Sequence, residues 1–581
     1  MTIPSPPTTL PPRRLFALTA VLLLAALIYF QGLGSEYIPK NGDEYPYAHI
    51  TRETAASGQL LPLRSELDHM RNTKPPLLFW QGIASTNWGQ NWSLVRLRYP
   101  NVIYTLLTAG LVLLLAARLA NNPETGVIGA LAFLAFFNTY RYGRPFLTDP
   151  PLVFWLGLPF FILLYWRPRS FDSRLVVPLT VSVALGFGLL YKSFALLAPT
   201  GLALAWWYLH ERDYRLKEFL RRDSWKIIAN GGIALAIFSL WFLLDPDPAA
   251  IWQEFVVGEN AGKFDPHFAS YLKEFFWGSA SAPMLVLDLL ANGGLLIFPL
   301  AALFVLAFRE RHQMPPAQRL LWIWVSTLFI IFALPSQRSG RYLLPAMPAL
   351  AVLLALAWEK IPRRFFLATL GASGLLLALA TFLALQLQQQ IGVTGLYPWP
   401  FWLLLLASGA LIVTGISQPR YSRRLSLVVP ILLYLVFSCF VAPFDGPLGN
   451  YSPEVQAQMR GRQVTVPSNF RAQEERFRFL LPGAEIQPYS LELKLTPGQL
   501  AERYPLFAVQ LPIVQGSPAT VQAACPDCRI VGQRLDIRSR HSGAELKEMF
   551  LGGRLFELLF VREYLLTAPA TATPDAMERP K

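Results

Sequence analysis

Long apolar runs without charged residues are the feature that most restricts how this chain can fold. The run from Leu15 to about Gly34 is typical, and its roughly twenty residues are long enough to cross a bilayer core of about 30 Å. Such runs form helices because every backbone amide in hydrocarbon needs an internal partner. The chain is 53% hydrophobic and 15% charged, whereas soluble proteins carry about a quarter charged residues. We therefore predict an all-α polytopic membrane domain.

The apolar runs predict about thirteen transmembrane helices. After the first run they lie near residues 99–118, 125–141, 146–166, 175–191, 194–210, 227–244, 284–308, 320–335, 341–358, 365–387, 398–417 and 425–443. Segment 76–92 is weaker and rich in Trp, Asn and Gln, so we interpret it as an interfacial or re-entrant helix. The first run is either a signal peptide or, since no clear cleavage site follows it, an uncleaved signal anchor.

The basic residues predict the orientation in the membrane. Most of them lie in loops that alternate along the chain, as the positive-inside rule expects of the cytoplasmic side. They are Arg167, Arg169, Arg174, Arg212, Arg215, Lys217, Arg221, Arg222, Lys226, Arg309, Arg311, Arg319, Lys360, Arg363, Arg364, Arg420, Arg423 and Arg424. With the N-terminus inside, the first loop, residues 35–98, lies outside. An odd number of spans then places the tail outside as well. The net charge of +14 forms no continuous basic face, so we predict no nucleic-acid partner.

Five cations break this rule. Arg141, Arg144, Lys192, Arg338 and Arg341 fall on the predicted outer side, most of them at helix ends. One such cation is usually a snorkelling residue, but several on one face suit an anionic ligand at the outer membrane surface.

The chain changes character after residue 445. Polar and apolar stretches mix there, with strand-like and helical runs at Leu506–Leu511, Leu555–Val561, Phe470–Leu480 and Gly543–Phe550. We predict two domains, a transmembrane catalytic domain over residues 1–445 and a small soluble α+β domain over residues 446–581. In the second domain, Cys525 and Cys528 form a lone C-x-x-C, for which zinc is a weak interpretation and a local disulfide a plausible one outside the cytoplasm.

Three segments of the outer side carry residues suited to chemistry. The first loop contains Asn41-Gly42-Asp43-Glu44-Tyr45-Pro46-Tyr47-Ala48-His49, an acid pair after a turn, for which helix capping is the plainer explanation when it is taken alone. The same loop contains Arg71-Asn72-Thr73-Lys74-Pro75-Pro76-Leu77-Leu78-Phe79-Trp80. The third segment, Arg144-Pro145-Phe146-Leu147-Thr148-Asp149-Pro150, puts a cation and an acid at the outer end of a span.

Together the three segments resemble the polyprenyl-phosphate-dependent glycosyltransferases of the GT-C fold, in the branch of the aminoarabinose transferases and protein mannosyltransferases. Leu190-Tyr191-Lys192 matches the position of a family Lys-Gly, with Ser193 in place of the glycine. Arg338–Pro348 is similar to the family's basic-Tyr-x-x-Pro-x-x-Pro segment. The resemblance covers roughly residues 10–360, and the order and common side of the motifs make it fairly specific.

The resemblance implies an inverting transfer of a sugar from a polyprenyl-phosphate donor to a lipid, glycan or protein acceptor at the bacterial inner membrane. The leaving phosphate gains charge in the transition state, and nearby cations stabilise it. The implied phosphate ligands are Lys74, Lys192, Arg338 and Arg341, with Tyr342 as a hydrogen-bond donor. Asp43 is implied as the base or as the acid that orients the acceptor. The expected substrate-pocket residues are Glu44, Tyr47, Arg144 and Asp149.

The chain departs from the family pattern at three positions. Pro46 stands where many members have Arg, and Thr73 stands where many have Glu. Glu259-Asn260 is similar to a Glu-His pair of the aminoarabinose branch. Family members can share a metal ion between the Glu and His positions that are here Thr73 and Asn260. We therefore predict no resident metal or other cofactor, and the changes argue against aminoarabinose as the sugar.

Two other classes of protein compete with this interpretation. A lipid-linked-sugar flippase or another polytopic transporter would explain the spans and the interfacial cations, but transporters usually place charges near the bilayer midplane on broken helices. A membrane scaffold with a binding tail would leave the ordered motifs unexplained. For the tail we hypothesise a capping role over the outer cavity.

Overall fold

The structure is a computed structural model that describes residues 12–38, 41–66, 71–260, 268–514, 516–538 and 541–568. Helices dominate up to residue 445. They are α1 (Pro12–Phe30), α2 (Glu44–Ala56), α3 (Leu77–Ser85), α4 (Leu94–Ala120), α5 (Pro123–Ala135), α6 (Phe137–Tyr142), α7 (Asp149–Tyr165), α8 (Arg169–Asp172), α9 (Val176–Tyr191), α10 (Leu197–Glu211), α11 (Leu216–Arg222), α12 (Ser224–Leu244), α13 (Pro248–Ile251), α14 (Phe268–Phe276), α15 (Ala282–Ala291), α16 (Ile297–Arg309), α17 (Pro316–Ala333), α18 (Met347–Ala357), α19 (Arg363–Ile391), α20 (Trp399–Ser417) and α21 (Pro419–Asp445). A π-helix covers Trp252–Asn260, and a 3-10 helix covers Gly340–Ala346.

Each predicted transmembrane run falls on one helix or on two consecutive helices. Within the described residues, seven helices are long and apolar enough to cross a membrane, or eight when the bent pair α15–α16 counts as one span. The shorter apolar helices α1, α5, α7 and α9, together with α10, account for the remaining runs. The predicted span 284–308 is broken by a bend of 107° between α15 and α16. Gly294 lies at this bend with φ +57°, and a side chain there would collide with Phe137.

Small residues bring the central helices close together. Gly129 of α5 faces Val112 and Ala116 of α4 and Ala355 of α18, and a Cβ added at Gly129 would lie 3.2–3.4 Å from their side chains. Because lipid is as apolar as leucine, helices in a membrane associate through this kind of close packing. The result is a buried group of helices formed by α4, α5, α7 and α18. One end of this group carries Asp149, the first residue of α7.

The basic loops contact one another at one end of the bundle. The pairs are Arg167 with Glu211, Arg212 with Asp172, Lys360 with Glu310, Arg423 with Glu359 and Arg424 with Glu124. The first loop, Lys192 and Arg341 lie at the opposite end, where the tail also packs. The bundle therefore has two distinct ends. The basic loops lie at one end, and the predicted motifs lie at the other.

The tail contains a five-stranded sheet between helices. Its elements are α22 (Pro453–Met459), β1 (Gln463–Ser468), α23 (Glu475–Leu480), β2 (Glu485–Ser490), α24 (Pro497–Arg503), β3 (Leu506–Pro512), α25 (Pro518–Ala524), β4 (Arg529–Ile537), α26 (Gly543–Leu551), α27 (Leu555–Leu559) and β5 (Phe560–Thr567). The strand order is β2-β1-β3-β5-β4, parallel among the first three strands and antiparallel around β5. The α+β prediction is confirmed.

Side chains alternate between the two faces of this sheet. Leu506 and Ala508 enter one core, and Phe507 and Val509 enter the other. Such alternation follows from the two-residue period of a strand. The disulfide between Cys525 and Cys528 lies in the second core, at the end of α25.

Two local predictions for the tail need correction. The run Leu555–Val561 is not one strand, because α27 covers its first five residues and β5 begins at Phe560. A short apolar run has no period that separates a buried helix from a buried strand. The predicted helix Phe470–Leu480 is shorter, since regular helix begins only at Glu475. The strand at Leu506–Leu511 and the helix at Gly543–Phe550 are confirmed.

Candidate active site

Asp149 forms ion pairs with two cations at the end of the bundle where the first loop and the tail lie. It is the first residue of α7, where the helix dipole favours an acid. Its Oδ2 accepts hydrogen bonds from Arg341 Nη2 at 2.6 Å and Nε at 3.0 Å, and its Oδ1 lies 3.0 Å from Lys192 Nζ. Arg341 comes from the 3-10 helix before α18, and Lys192 follows α9. One nearly buried carboxylate therefore fixes two cations from different elements.

Asp43 completes this cluster from the first loop. It occupies the N-cap position of α2, yet its side chain makes no capping bond to the helix. Its Oδ2 lies 2.6 Å from Arg341 Nη1, and about half of the side chain (50%) is exposed. A planar guanidinium has donors enough to serve two acids at once, so Arg341 bridges Asp43 and Asp149.

Two tyrosines border the cluster. The Lys192 ammonium lies 5.5 Å from the centre of the Tyr342 ring, within range of a cation–π contact. Tyr47 is buried in α2, and burial together with the charge of Asp43 raises its pKa well above the ordinary value. The Tyr47 phenol therefore stays protonated and can serve only as a neutral hydrogen-bond group.

Lys74 lies on the neighbouring side of the first loop. Its ammonium is 2.5 Å from Glu259 Oε1 and 2.8 Å from the carbonyl oxygen of Thr73. Glu259 belongs to the π-helix Trp252–Asn260. The sequence pattern identified Glu259 only as part of a changed pair and did not reveal that it would neutralise Lys74.

The residues at the implied metal positions do not suit a divalent cation. The Asn260 amide is engaged on both sides, since its oxygen accepts from the Ser193 hydroxyl at 2.7 Å and its nitrogen donates to the carbonyl of Phe255. Thr73 offers a neutral hydroxyl, and the nearby Glu259 carboxylate already holds an ammonium ion. Divalent metals in proteins are held by carboxylates, imidazoles or thiolates, and this set supplies none that is uncommitted.

A second group of possible metal ligands lies between α2 and α23. One ligand atom from each of His49, Glu474 and Glu475 falls within 4.8 Å of the others. However, Arg52 donates three hydrogen bonds to Glu475, and Ser468 donates to Glu474. The group is therefore a hydrogen-bonded ion network rather than an open cation site.

Glu44 lies outside the cluster, contrary to its expected place in the substrate pocket. It is buried, and both of its oxygens pair with Arg98 at 2.7 Å. One of them also accepts the backbone N–H of Phe146 at 2.7 Å. Glu44 fixes the start of α2 against α4 and leaves no acceptor facing the cavity.

Arg144 is also buried away from the cluster. Its guanidinium donates to the carbonyl of Tyr29 at 2.9 Å, to the hydroxyl of Tyr140 at 2.6 Å and to the carbonyl of Gln31. It satisfies the carbonyls at the end of α1, where a helix has no internal donors left. The expectation of a pocket role for Arg144 is replaced by a structural one.

Arg338 points away from Asp149 as well. It donates to the carbonyl oxygens of Ala333 at 2.6 Å, Ala280 at 3.1 Å and Glu274 at 3.3 Å, and it lies over the Tyr271 and Phe275 rings of α14. Of the two predicted arginines in this segment, only Arg341 joins the cluster, because Arg338 lies before the 3-10 helix and is held by the carbonyls near α14 and α17.

A cavity with about 290 Å³ of empty space opens beneath Asp149. Its lining includes Thr105, Asn138, Tyr142 and Val153. Arg341 lies 5.1 Å from the centre of the Tyr142 ring, so the same guanidinium borders both the cavity and the cluster. Tyr142 has no motif signal in the sequence and was not predicted.

Known proteins share both the sequence and the fold of this chain. The dolichyl-phosphate-mannose-protein mannosyltransferase family matches residues 14–254. The undecaprenyl phosphate-alpha-4-amino-4-deoxy-L-arabinose arabinosyl transferase of Pseudomonas paraeruginosa is 29% identical over 419 residues, which are 70% of this chain and 72% of that protein. A second transferase of that name from Proteus mirabilis is 26% identical over 383 residues, 64% of this chain and 65% of the relative.

The fold agrees with these sequence matches. The crystal structure of ArnT from Cupriavidus metallidurans bound to undecaprenyl phosphate superposes with a TM-score of 0.62 and 17% identity, covering 97% of this chain and 99% of that one. Its apo form gives a TM-score of 0.61 over 97% of this chain and 100% of that one, at 16% identity. This multi-pass membrane protein has the GT-C fold of ArnT, and its similarity to the aminoarabinose transferases and to the protein mannosyltransferase family supports a polyprenyl-phosphate-dependent glycosyltransferase.

Proposed function

We propose that the chain moves a sugar from an undecaprenyl-phosphate-type donor to a lipid, glycan or protein acceptor on the outer side of a bacterial inner membrane. The relatives named for such a donor support the donor class. The observation that carries the proposal is the Arg341 bridge between Asp43 and Asp149, with Lys192 on the second oxygen of Asp149. Two cations suited to a phosphate group lie there beside a half-exposed carboxylate, and this supports the proposal.

The cations stabilise the leaving phosphate. In the transfer the acceptor oxygen attacks the anomeric carbon, and the bond from that carbon to the phosphate oxygen breaks with inversion. The bond's electrons stay on the phosphate, whose charge becomes more negative by one. Arg341 and Lys192, held by Asp149, counter this charge and need no reorganisation because the carboxylate already orients them. Lys74 supplies a third cation when it exchanges Glu259 for phosphate.

Asp43 receives the proton of a hydroxyl acceptor. Its carboxylate is accessible, unlike that of Glu44, and Arg341 fixes its direction. A phosphate acceptor is already deprotonated and gains less from a base. Asp43 then serves to orient it.

Mass analysis of lipid and glycan pools tests the proposal. We compare bacteria that lack the protein with bacteria that produce it, and with bacteria that produce Asp43→Asn at the same membrane level. The expected result is a species heavier by one sugar residue in the wild type and absent from the other two. General acid–base catalysis is worth about 10²–10⁴-fold, so the variant falls near the background rate. An unchanged sugar-bearing pool in all three strains contradicts the proposal.

We further propose that transfer needs no metal. The changed positions Thr73 and Asn260, the latter bonded to Ser193, support this. Membranes treated with a chelator and then washed retain their transfer rate, and added Mg²⁺, Mn²⁺ or Zn²⁺ does not raise it. A loss that one of these ions restores contradicts metal independence while leaving the glycosyltransferase activity intact.

A further inference from the structure

Glu475 connects the tail to the helix that carries Asp43. It is the first residue of α23 and is fully buried. Its Oε1 lies 2.9 Å from His49 Nδ1 and 2.6 Å from Arg52 Nη2, both on α2. Arg52 Nε also donates to both of its oxygens, at 3.1 and 3.2 Å. One carboxylate thus binds two side chains of a helix that lies more than 420 residues away in sequence.

The hydrogen bonds of His49 define its tautomer. Its Nε2 accepts the backbone N–H of Glu66 at 3.1 Å, so the ring hydrogen is on Nδ1 and is donated to Glu475. His49 therefore links three segments: α2, the later part of the first loop and α23. Rotation of the ring would break both bonds at once.

The tail holds α23 firmly in place. Arg476, the next residue, pairs with Asp536 at 2.8 Å, with Glu563 at 2.9 Å and with Glu36 of the first loop at 3.2 Å. Glu563 belongs to β5, and Asp536 belongs to the neighbouring edge strand β4. Glu475 is consequently fixed to the sheet and not to a mobile surface.

α2 is held at three places. The Glu44–Arg98 pair holds its first turn against the membrane domain, and Glu475 holds its second and third turns. Between them, Tyr47, Ala48 and Ile50 pack in an apolar core with residues of α3 and α4. His49 lies six residues after Asp43, about 9 Å along a rigid helix. Without Glu475 the second and third turns can shift within this packing, and a shift of the rigid helix also moves Asp43 relative to Arg341.

We propose that Glu475 is a positioning residue, which holds α2 through His49 and Arg52 so that the Asp43 carboxylate meets Arg341 in the reactive arrangement. This inference rests on the proposed function of Asp43. The tail therefore takes part in the reaction by setting the geometry of the acid, without touching substrate. A misplacement of about 1 Å in a reacting group costs up to about 100-fold in rate.

Glu475→Gln tests this inference, because it keeps the shape of the side chain and removes its charge. Turnover is measured in proteoliposomes with the sugar donor and acceptor identified by the mass analysis above. The expected result is a fall in kcat of about 10- to 100-fold with little change in KM for the donor. Binding of undecaprenyl phosphate, measured as a shift in thermal midpoint, stays within about twofold of wild type, because the cations remain in place.

A double-mutant cycle separates positioning from general stability. In an Asp43→Glu background the carboxylate is already displaced. Adding Glu475→Gln should therefore lower kcat by a further factor of less than about three. If Glu475→Gln lowers kcat by the same factor in the wild-type and in the Asp43→Glu background, the positioning role is overturned. Arg52→Lys keeps the charge at a partly exposed position and replaces Glu475→Gln in the cycle if that variant folds poorly. It should lower kcat less, and its effect should again be smaller in the Asp43→Glu background.

Tyr489→Phe is the matched control. Tyr489 is also buried in the tail, but its hydroxyl donates to the carbonyl of Ala508 at 3.1 Å inside the sheet rather than to α2 or α23. The control should lower the thermal midpoint, and its effect on turnover should multiply with that of Asp43→Glu. If wild type transfers sugar and Glu475→Gln matches it, the positioning role is wrong and the proposed function stands. If wild type transfers nothing, the proposed function itself fails.

Discussion

Asp43 and Glu44 are adjacent acids with opposite environments. Asp43 is half exposed and meets Arg341, whereas Glu44 is buried against Arg98. Successive residues on a helix point about 100° apart, so one acid faces Arg341 and the other faces α4. The acid pair therefore combines one group for chemistry with one for structure.

Glu44→Gln should destabilise the protein without removing its chemistry. The change leaves the Arg98 guanidinium buried beside a neutral amide, and breaking a buried pair costs about 3–5 kcal/mol. We expect a lower thermal midpoint and a lower yield of folded protein, and turnover per folded molecule should fall much less than in Asp43→Asn. Asp43→Asn is the matched control, since it should keep the midpoint and lose turnover. Equal midpoints for wild type and Glu44→Gln would contradict the assignment.

At the scale of elements, ion pairs connect the first loop to the segment before and within the π-helix. Arg71 lies 2.6 Å from Asp247, and Lys74 lies 2.5 Å from Glu259. Between them, the backbone N–H of Asn72 donates to Glu254 at 3.0 Å. Three polar contacts therefore hold the two segments together, and Lys74 is the cation among them with the less exposed side chain.

Lys74→Ala should weaken use of the donor more than it harms folding. Loss of a charge-assisted hydrogen bond to phosphate is worth about 1.5–3 kcal/mol, so KM for the donor should rise about tenfold or more. The control is Arg71→Ala, which breaks the more exposed pair and should change KM little. A thermal midpoint within a few degrees of wild type is expected for both variants. The same KM effect from both would show that Lys74 only joins the two segments.

At the scale of the whole molecule, the tail attaches through two kinds of surface. Phe560 of β5 packs on Phe444 of α21, with ring centres 4.7 Å apart, as part of an apolar contact with α19–α21. The second contact is ionic and joins Glu475 and Arg476 to the first loop. The apolar contact is independent of pH, whereas the ionic one is not.

Acid should weaken the ionic contact. Burial alone would raise the pKa of Glu475, but the hydrogen bond from His49 and the charges of Arg52 and Arg478 lower it to about 2. A lowered pKa in the folded state means that the stabilisation is complete above the unfolded pKa of about 4.3 and is lost as pH falls towards 2. The shift corresponds to about 3 kcal/mol.

The measurement is the difference in thermal midpoint between wild type and Glu475→Gln. This difference should stay constant from pH 8 to 5 and shrink steadily below pH 4. Tyr489→Phe again provides the comparison within the tail, and its midpoint difference from wild type should not change over this pH range. A difference that grows on acidification would contradict the stated direction of the pKa shift.

The orientation of the tail can be tested by labelling. In a Cys439→Ser background, a cysteine at the exposed Gln458 of α22 should react with a membrane-impermeant maleimide in intact spheroplasts. A cysteine at the exposed Lys217, in a basic loop, should react only after lysis. Labelling of Lys217→Cys in intact spheroplasts and not of Gln458→Cys would reverse the topology.

The sequence by itself determined the architecture, because apolar run length, the placement of cations and strand alternation are local properties. Runs such as Leu15–Gly34 must form helices in a membrane, and the change in composition after residue 445 marks the α+β tail. The resemblance to the glycosyltransferases implied Asp43, Lys74, Asp149, Lys192 and Arg341, together with Glu44, Tyr47, Arg144, Arg338 and Tyr342. This implication rests on the order of the motifs along the chain, since each segment taken alone is a weak signal.

Only the tertiary structure decided which of the predicted residues meet. Arg341 and Arg338 are three residues apart, yet only Arg341 reaches Asp149, while Arg338 binds carbonyls of the α14 region. Arg144 and Glu44 are buried in helix contacts that no motif reveals. The partners Glu259 and Glu475 come from distant segments. Side-chain direction and long-range pairing depend on how helices pack, and a single sequence does not contain that geometry in readable form.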